Sequence, residues 1–279
     1  MEIKRKIVIF IQIILFSQLI LAEDFSNLPP DIRAIKERGY IIVSMYYKDV
    51  IPFMFHDQDG NFIGHEVELA KKIAETLGVG YQFDRSPQTF DEIVDLVAEG
   101  KADMAISLLS RTLSRAQSVR FTKPYIILRP TLLISRLAAS RYDLDPLQPV
   151  ASMSAYPLSI AEKRGTSYVD KAKSLYPASS IEEYTEWEDA IDAVLDINNP
   201  AEIVIRDEIG IKNYISEFPE KSINLQMIPI ADERYEDPLA IAVNKDSVHL
   251  QEWLNLYFEQ YGITGTADRL LAPYEKYYE

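Results

Sequence analysis

Cysteine is absent from all 279 residues of the sequence. Its absence excludes disulfide bonds, zinc–thiolate sites, thiol nucleophiles and a lipid anchor on cysteine. Basic residues are also few, with 29 Lys and Arg against 43 Asp and Glu and a net charge of −14. This balance argues against nucleic-acid binding through a basic surface. We therefore expect no nucleic-acid partner.

Common enzyme motifs are missing too. The sequence has no P-loop, no Gly-x-Gly-x-x-Gly loop and no Gly-x-Ser-x-Gly elbow. The segment His65-Glu66-x-Glu68 has the composition of a metal site, but its spacing does not place three ligands on one helical face. Acidic residues at a helix start are explained by the helix dipole. We predict no metal, no cofactor and no catalytic residue.

The apolar content is ample for a packed core. Hydrophobic residues make up 47% of the chain, which includes 17 Tyr and 11 Phe, so the chain is not of the disordered class. No internal repeat or low-complexity tract is present. The length suits one large domain or two lobes of roughly 100 to 130 residues each.

The N-terminus has the pattern of a secretory signal peptide. Lys4-Arg5-Lys6 precede an apolar run from Ile7 to Leu21, and Ala22 is followed by two acidic residues. The run is short for a bilayer span. We expect cleavage after Ala22, so that residues 1–22 are removed and the protein is exported, with an uncleaved anchor as the alternative.

Past this segment, short strands and helices alternate. Apolar periodicity and stop signals predict a first series of elements: a helix at Asp31–Arg38, a strand at Tyr40–Met45, helices ending at Gly78 and Gly100, and a strand at Ala102–Leu108. Such alternation is typical of βαβ units and a mostly parallel sheet.

A second series follows. It contains helices at Ser167–Leu175, Trp187–Leu195, Glu208–Glu217 and 248–261, strands at Ala201–Ile205 and 239–244, and a surface connection at Tyr142–Pro157. The last helix is amphipathic, and its predicted inward side chains are Leu250, Trp253, Leu254, Tyr257 and Tyr261.

A polar turn after the strand Met104–Leu108 is the most informative segment. It carries Ser110, Thr112 and Arg115. Two hydroxyl groups and a guanidinium at a strand end can hold an anion, and the planar fork of arginine matches a carboxylate bidentately. The alternative is an arginine that is salt-bridged on a solvated helix face.

Several segments, taken in order along the chain, resemble the sequence motifs of a known protein family. They are Ile51-Pro52-Phe53, Asp59-Gly60-Asn-Phe-Ile-Gly64, the helix from Glu66 to Gly78, Gly100-Lys-Ala-Asp103, Ser110-Arg-Thr112-Leu-Ser-Arg115, Phe121-Thr-Lys-Pro-Tyr125, Gly165-Thr166-Ser167 and Ala201 to Asp207. From about Gly39 to about Gly262 the chain resembles the bacterial extracellular (periplasmic) solute-binding proteins of family 3, the amino-acid-binding type of ABC transporters.

This resemblance implies an α/β fold, the two-lobe clamshell of periplasmic binding proteins (type II). Each lobe would be a mostly parallel sheet flanked by helices, and two crossovers would form the hinge. The expected divisions are residues 23–126 for the first part of lobe 1, residues 127–236 for lobe 2, and residues 237–279 for the return to lobe 1 and the C-terminal helices.

The resemblance also implies site residues. Arg115 would bind the carboxylate of a ligand, helped by groups at Thr112, Thr166 and Ser167, where a helix start favours an anion. Asp207 would bind the ammonium, and Ser110 would add an acceptor. For Asp207 the alternative is an exposed carboxylate paired with Arg206. Two aromatic residues would cap the ligand side chain or stem, namely Phe53, for which the alternative is core packing, and Tyr47.

The function implied is that of a periplasmic, monomeric receptor, which captures a small zwitterionic ligand and delivers it to a membrane ABC permease. Departures from the family pattern at His65, Leu108, Asn199 and Glu202 concern specificity. One alternative is an enzyme of the prephenate or arogenate dehydratase type, with His65 or Glu236-Asp237 as acid or base. Another is an accessory or sensory module of the cell envelope.

Overall fold

The computed structural model describes residues 24–142, 147, 149–154, 156–199 and 201–277. The predicted signal peptide, residues 1–22, lies outside the described residues. Among the residues described, no helix is both long enough and apolar enough to cross a bilayer.

Thirteen strands are found in the described part of the chain. They are β1 (Tyr40–Ser44), β2 (Phe55–His56), β3 (Phe62–Ile63), β4 (Gly80–Asp84), β5 (Met104–Ala105), β6 (Val119–Leu128), β7 (Pro130–Ser135), β8 (Ser159–Lys163), β9 (Ser180–Tyr184), β10 (Ile203–Asp207), β11 (Leu225–Pro229), β12 (Asp237–Asn244) and β13 (Gly265–Thr266). A six-stranded sheet in the order β13-β6-β12-β5-β1-β4 builds lobe 1, and a five-stranded sheet in the order β11-β7-β10-β8-β9 builds lobe 2.

Helices flank both sheets. They are α1 (Pro30–Arg38), α2 (His65–Leu77), α3 (Phe90–Ala98), α4 (Arg136–Ala139), α5 (Pro149–Met153), α6 (Ser167–Leu175), α7 (Trp187–Leu195), α8 (Glu208–Glu217), α9 (Pro219–Ser222), α10 (Val248–Tyr261) and α11 (Ala267–Leu271). The predicted two-lobe α/β architecture is confirmed. Both sheets are mixed rather than mostly parallel, because β12 and β7 each run antiparallel to both of their neighbours.

Helix α2 shows why the sequence folds in this way. Its apolar residues recur every three to four positions, so they share one face, and that face is buried. The helix ends at Gly78, whose φ of 68° lies in the left-handed region that glycine adopts without a steric cost. Its amide bonds to the carbonyls of Ala74 and Glu75. The predicted stop at Gly78 is therefore confirmed.

The core of lobe 2 lies on both faces of its sheet. Along β7, Leu132 and Ile134 belong to the apolar cluster on one face, and Leu133 belongs to the cluster on the other. This is the two-residue alternation of a strand covered on both sides. Helix α6 packs in the first cluster and α7 in the second.

Two crossings connect the lobes. Strand β6 pairs in lobe 1 as far as Leu128, opposite Asp237, and β7 begins in lobe 2 at Pro130. The chain therefore leaves the first sheet after Leu128, since the ladder with β12 continues to that residue. The return crossing joins Pro229 at the end of β11 to Asp237 at the start of β12.

Some predicted elements differ from the structure. The strand predicted to reach Leu108 ends at Ala105, and Leu108 itself has a φ of 46°, which no regular strand accommodates. Strand β10 begins two residues later than predicted and reaches Asp207. The predicted surface connection 142–157 contains helix α5, which buries Met153 in the core. In α10 the predicted inward residue Tyr261 is exposed.

Candidate ligand-binding cleft

The candidate site is a cleft between the two lobes. Its space, counted with its opening to solvent, is about 580 Å³. Tyr46 and Ser110 enter it just beyond β1 and β5, and Lys163 and Asp207 are the last residues of β8 and β10. The cleft therefore lies at the carboxyl ends of parallel strands in both lobes, where open α/β sheets bind ligands.

Arg115 lies in this cleft on a single 3₁₀ turn. Its side chain is 9% exposed, and its guanidinium donates to the carbonyls of Ser110 (3.2 Å) and of Gly165 (3.4 Å) in the other lobe. The nearest carboxylate is that of the exposed Asp91, 3.8 Å away. Burial lowers the pKa of Arg115, although arginine stays protonated at physiological pH. A buried cation held by neutral carbonyls and one loose ion pair is suited to an anionic ligand group.

Two serines join the lobes across the cleft. Ser110 Oγ lies 2.7 Å from Ser167 Oγ and donates to Asp237 Oδ2 at 3.0 Å. Ser167 is the first residue of α6, and Thr166 is its N-cap, with the Thr166 hydroxyl donating to the Lys163 carbonyl. The first amides of a helix have no partner within it, so this end of α6 favours a negative charge.

Asp207 is buried at the end of β10. Its Oδ1 accepts the amide of Gly210 at 2.7 Å and caps α8, and its Oδ2 lies 3.8 Å from Arg206 Nε. Burial raises the pKa of Asp207, and the Arg206 charge opposes that rise. Asp207 is therefore buried rather than exposed, but the pairing with Arg206 that its alternative interpretation expected is present.

Three of the predicted site residues are not among those that line the cleft. Thr112 accepts the Arg115 amide through its hydroxyl (3.3 Å), so it shapes the turn that holds Arg115. Phe53 is buried in the apolar core of lobe 1, as its alternative interpretation stated. Tyr47 is exposed, and its neighbour Tyr46 faces the cleft instead.

Aromatic rings form one wall that the sequence did not indicate. Tyr46 stacks on Phe90, with the ring centroids 5.2 Å apart and the planes 7° apart. Trp187 of lobe 2 lines the cleft as well, with its ring against that of Tyr168. Their signal in the sequence was weak, because each is an ordinary apolar residue at the end of a strand or the start of a helix.

Charged side chains also bridge the lobes. Lys163 Nζ of lobe 2 donates to the Tyr46 hydroxyl at 3.0 Å and to Glu186 at 2.9 Å. Lys48 of lobe 1 reaches the same Glu186 carboxylate at 2.7 Å. Burial lowers the pKa of Lys163 and raises that of Tyr46. These contacts, with the serine pair, hold the lobes together in a closed arrangement.

Behind the cleft, Glu66 is fully buried at the start of α2. Its Oε1 accepts the amide of Leu108 at 2.7 Å and the hydroxyl of Tyr125. Burial raises the pKa of Glu66 to about 7. Glu66 therefore holds the backbone of a cleft-lining residue, Leu108, in its unusual conformation.

Of the acid–base candidates of the enzyme alternative, Asp237 lines the cleft and His65 and Glu236 do not. His65 is not among the cleft-lining residues, and burial lowers its pKa to about 4. Asp237 lines the cleft, but it accepts from Ser110 and lies 3.7 Å from Lys171 Nζ. In the part of the chain that the structure describes, no group of three or more His, Cys, Asp or Glu is arranged to hold a metal.

Comparison with known proteins identifies the family. The profile of the bacterial extracellular solute-binding proteins, family 3, matches residues 42–277. The chain belongs to this family. Its two-lobe fold is that of the ABC-transporter substrate-binding proteins, as the predicted resemblance stated.

Relatives and solved structures agree with this assignment. The amino-acid-binding protein AabA of Dichelobacter nodosus is 27% identical over 229 residues, which is 80% of this chain and 83% of that protein. The glutamate-binding protein GluB of Corynebacterium glutamicum is 23% identical, over 85% of this chain and 78% of that protein. The structure of the substrate-binding protein AbpA of Streptococcus pneumoniae bound to L-arginine superposes with a TM-score of 0.66 at 26% identity, and the match covers 87% of this chain and 97% of that one.

Proposed function

We propose that this solute-binding protein is an exported, monomeric receptor for an amino acid. It takes up the ligand between its lobes in the periplasm and delivers it to a membrane ABC permease. The observation that carries the proposal is the pair of Arg115 and Asp207, which are buried in one cleft and come from opposite lobes.

The ligand groups are assigned by charge. The carboxylate binds the Arg115 guanidinium, with the first amides of α6 and the Thr166 and Ser167 hydroxyl groups around it. The ammonium binds Asp207 through Oδ2, the oxygen that does not cap α8. An α-amino acid carries both groups a short distance apart, so one ligand satisfies both lobes at once.

Binding and lobe closure are coupled in this arrangement. Arg115 and Asp207 are near the same ligand only when the lobes meet, so the ligand has a higher affinity for the closed state and shifts the population towards it. Contacts such as Ser110–Ser167 and Lys48–Glu186 add to that state without the ligand. A permease can then distinguish the closed, loaded receptor from the open one.

The relatives support an amino acid without selecting one. AabA is described as amino-acid-binding, GluB as glutamate-binding and AbpA as bound to L-arginine. The choice among amino acids must therefore come from the residues of this cleft.

Isothermal titration calorimetry tests the proposal. The mature protein is unfolded and refolded to remove carried-over ligand, and the twenty common amino acids are titrated singly. We expect at least one to bind with a micromolar or lower Kd. Arg115→Met should weaken this binding by about 2–5 kcal/mol, the cost of removing one partner of a buried charge pair. Arg111→Gln, a change of an exposed arginine in the same turn, is the matched control. Failure of every amino acid to bind would refute the proposal.

A further inference from the structure

Arg206 is a cation of the cleft whose side chain makes no hydrogen bond to the described residues. Its side chain is only 13% exposed and lines the cleft. Its guanidinium lies on the ring of Trp187, 4.8 Å from the centroid. The buried Nε atom of Arg206 has no hydrogen-bond partner among the described residues. The ion pair between Arg206 and its neighbour Asp207 is long, at 3.8 Å. A buried guanidinium without hydrogen bonds is costly, so a ligand that supplied acceptors would be stabilised there.

Lys163 places a second cation in the same wall. It ends β8 and Arg206 lies near the end of the adjacent β10, so the parallel pairing of the strands brings both side chains to one edge. Lys163 is buried and is paired with Glu186 and with the Tyr46 hydroxyl. Its charge is therefore partly compensated, whereas Arg206 has its ion pair with Asp207 and a further electrostatic interaction with the buried Glu162.

A bound amino acid changes this balance. In the proposed function the ligand ammonium takes Oδ2 of Asp207, the same oxygen that Arg206 faces. The other cleft carboxylate, Asp237, already accepts from Ser110 and lies 3.7 Å from Lys171. Arg206 would then lose much of its only ion pair among the described residues. An anion on the ligand itself would restore it.

We propose that the ligand of this cleft carries a second anionic group, which Arg206 and Lys163 bind, so that the protein selects acidic amino acids. The inference rests on the proposed amino-acid function and specifies its ligand class. It excludes cationic side chains, because these would add positive charge beside two buried cations. The inference also disfavours the neutral amides glutamine and asparagine. They match glutamate and aspartate in shape but offer Arg206 no negative charge.

Paired ligands provide the test. Isothermal titration calorimetry of the refolded mature protein would compare L-glutamate with L-glutamine, L-aspartate with L-asparagine, and all four with L-arginine. We expect an acid to bind at least tenfold more tightly than its amide, and L-arginine to bind more weakly than either. If an amide or L-arginine binds as tightly as the acids, the second-anion inference is overturned while the amino-acid receptor stands. If no amino acid binds, both proposals fail.

Variants locate the effect in the two cations. Arg206→Met keeps an apolar stem against Trp187 and should reduce the acid-to-amide ratio to about threefold or less, and Lys163→Met should also lower it. Arg164→Gln is the matched control, since Arg164 is exposed and adjoins Lys163 in sequence; it should leave the ratio unchanged. Thermal melts confirm that each variant is folded. An unchanged ratio in both Met variants would overturn the role of these residues.

Glutarate, which lacks the ammonium, should bind at least tenfold more weakly than L-glutamate. Equal binding would overturn the amino-acid assignment but not the second anion.

Discussion

Glu66 provides a sharp test of the electrostatics behind the cleft. It is fully buried, and burial raises its pKa from 4.5 to about 7 in the folded protein. Below pH 4.5 the side chain is protonated in both the folded and the unfolded states, and its contribution to stability is greatest. Between pH 4.5 and 7 the unfolded chain loses the proton while the folded protein retains it, so stability falls as the pH rises and levels off above pH 7.

The magnitude follows from the two pKa values. At 1.36 kcal/mol per pH unit, a rise from 4.5 to about 7 corresponds to about 3 kcal/mol of unfolding free energy, as an upper value. Glu66→Gln removes this titration, and the amide oxygen can still accept from the Leu108 amide. We therefore expect the variant to gain stability relative to the natural protein as the pH rises from 4.5 to 8.

Urea unfolding at half-unit pH steps measures the effect. Other buried carboxylates titrate in both proteins, so the difference between the two curves isolates Glu66. Glu75→Gln, at an exposed position of the same helix, is the control and should follow the natural curve. If Glu66→Gln runs parallel to the natural protein at every pH, the raised pKa is refuted. If it loses stability relative to the natural protein as the pH rises, the site requires an ionised carboxylate.

Two further predictions concern the lobe contacts and the backbone. Glu186→Gln should weaken the bridge to Lys48 and Lys163 by at most about 1 kcal/mol, since Glu186 is partly exposed. Small-angle X-ray scattering of the unliganded variant should then show a larger radius of gyration than that of the natural protein. An unchanged radius would argue against the bridge. Gly64→Ala should destabilise the protein by more than about 2 kcal/mol, because φ is 127° and a Cβ would lie 2.4 Å from the Phe53 carbonyl oxygen. Gly100→Ala, where φ is 72° with open space, should cost only about 1 kcal/mol in the same urea unfolding assay, and equal costs would refute the steric argument.

Most of the fold could be read from local patterns. The helices 167–175, 187–195, 208–217 and 248–261 begin and end as predicted. Apolar periodicity sets their buried faces, and these residues interact within one or two turns, so neighbouring sequence contains the information. The strand expected to reach Leu108 ends at Ala105, and the Leu108 amide binds the buried Glu66, a contact between distant residues that local patterns do not contain.

The cleft was only partly predictable. Ser110, Arg115, Thr166, Ser167 and Asp207 line it, and the ligand contacts that the resemblance implies for them stay predictions. The sequence could not choose between Tyr46 and Tyr47, because which of the two adjacent tyrosines faces the cleft depends on the path of the chain beyond β1. Nor could it reveal Arg206 and Lys163, because the pairing of β8 with β10 brings them to one edge of the lobe 2 sheet.

A crystal structure with the amino acid of highest affinity tests the central claim most directly. We predict that the ligand lies between the closed lobes, with its carboxylate within hydrogen-bond distance of the Arg115 guanidinium and its ammonium on Asp207. A ligand bound elsewhere, or in the cleft with neither residue in contact, would contradict the account.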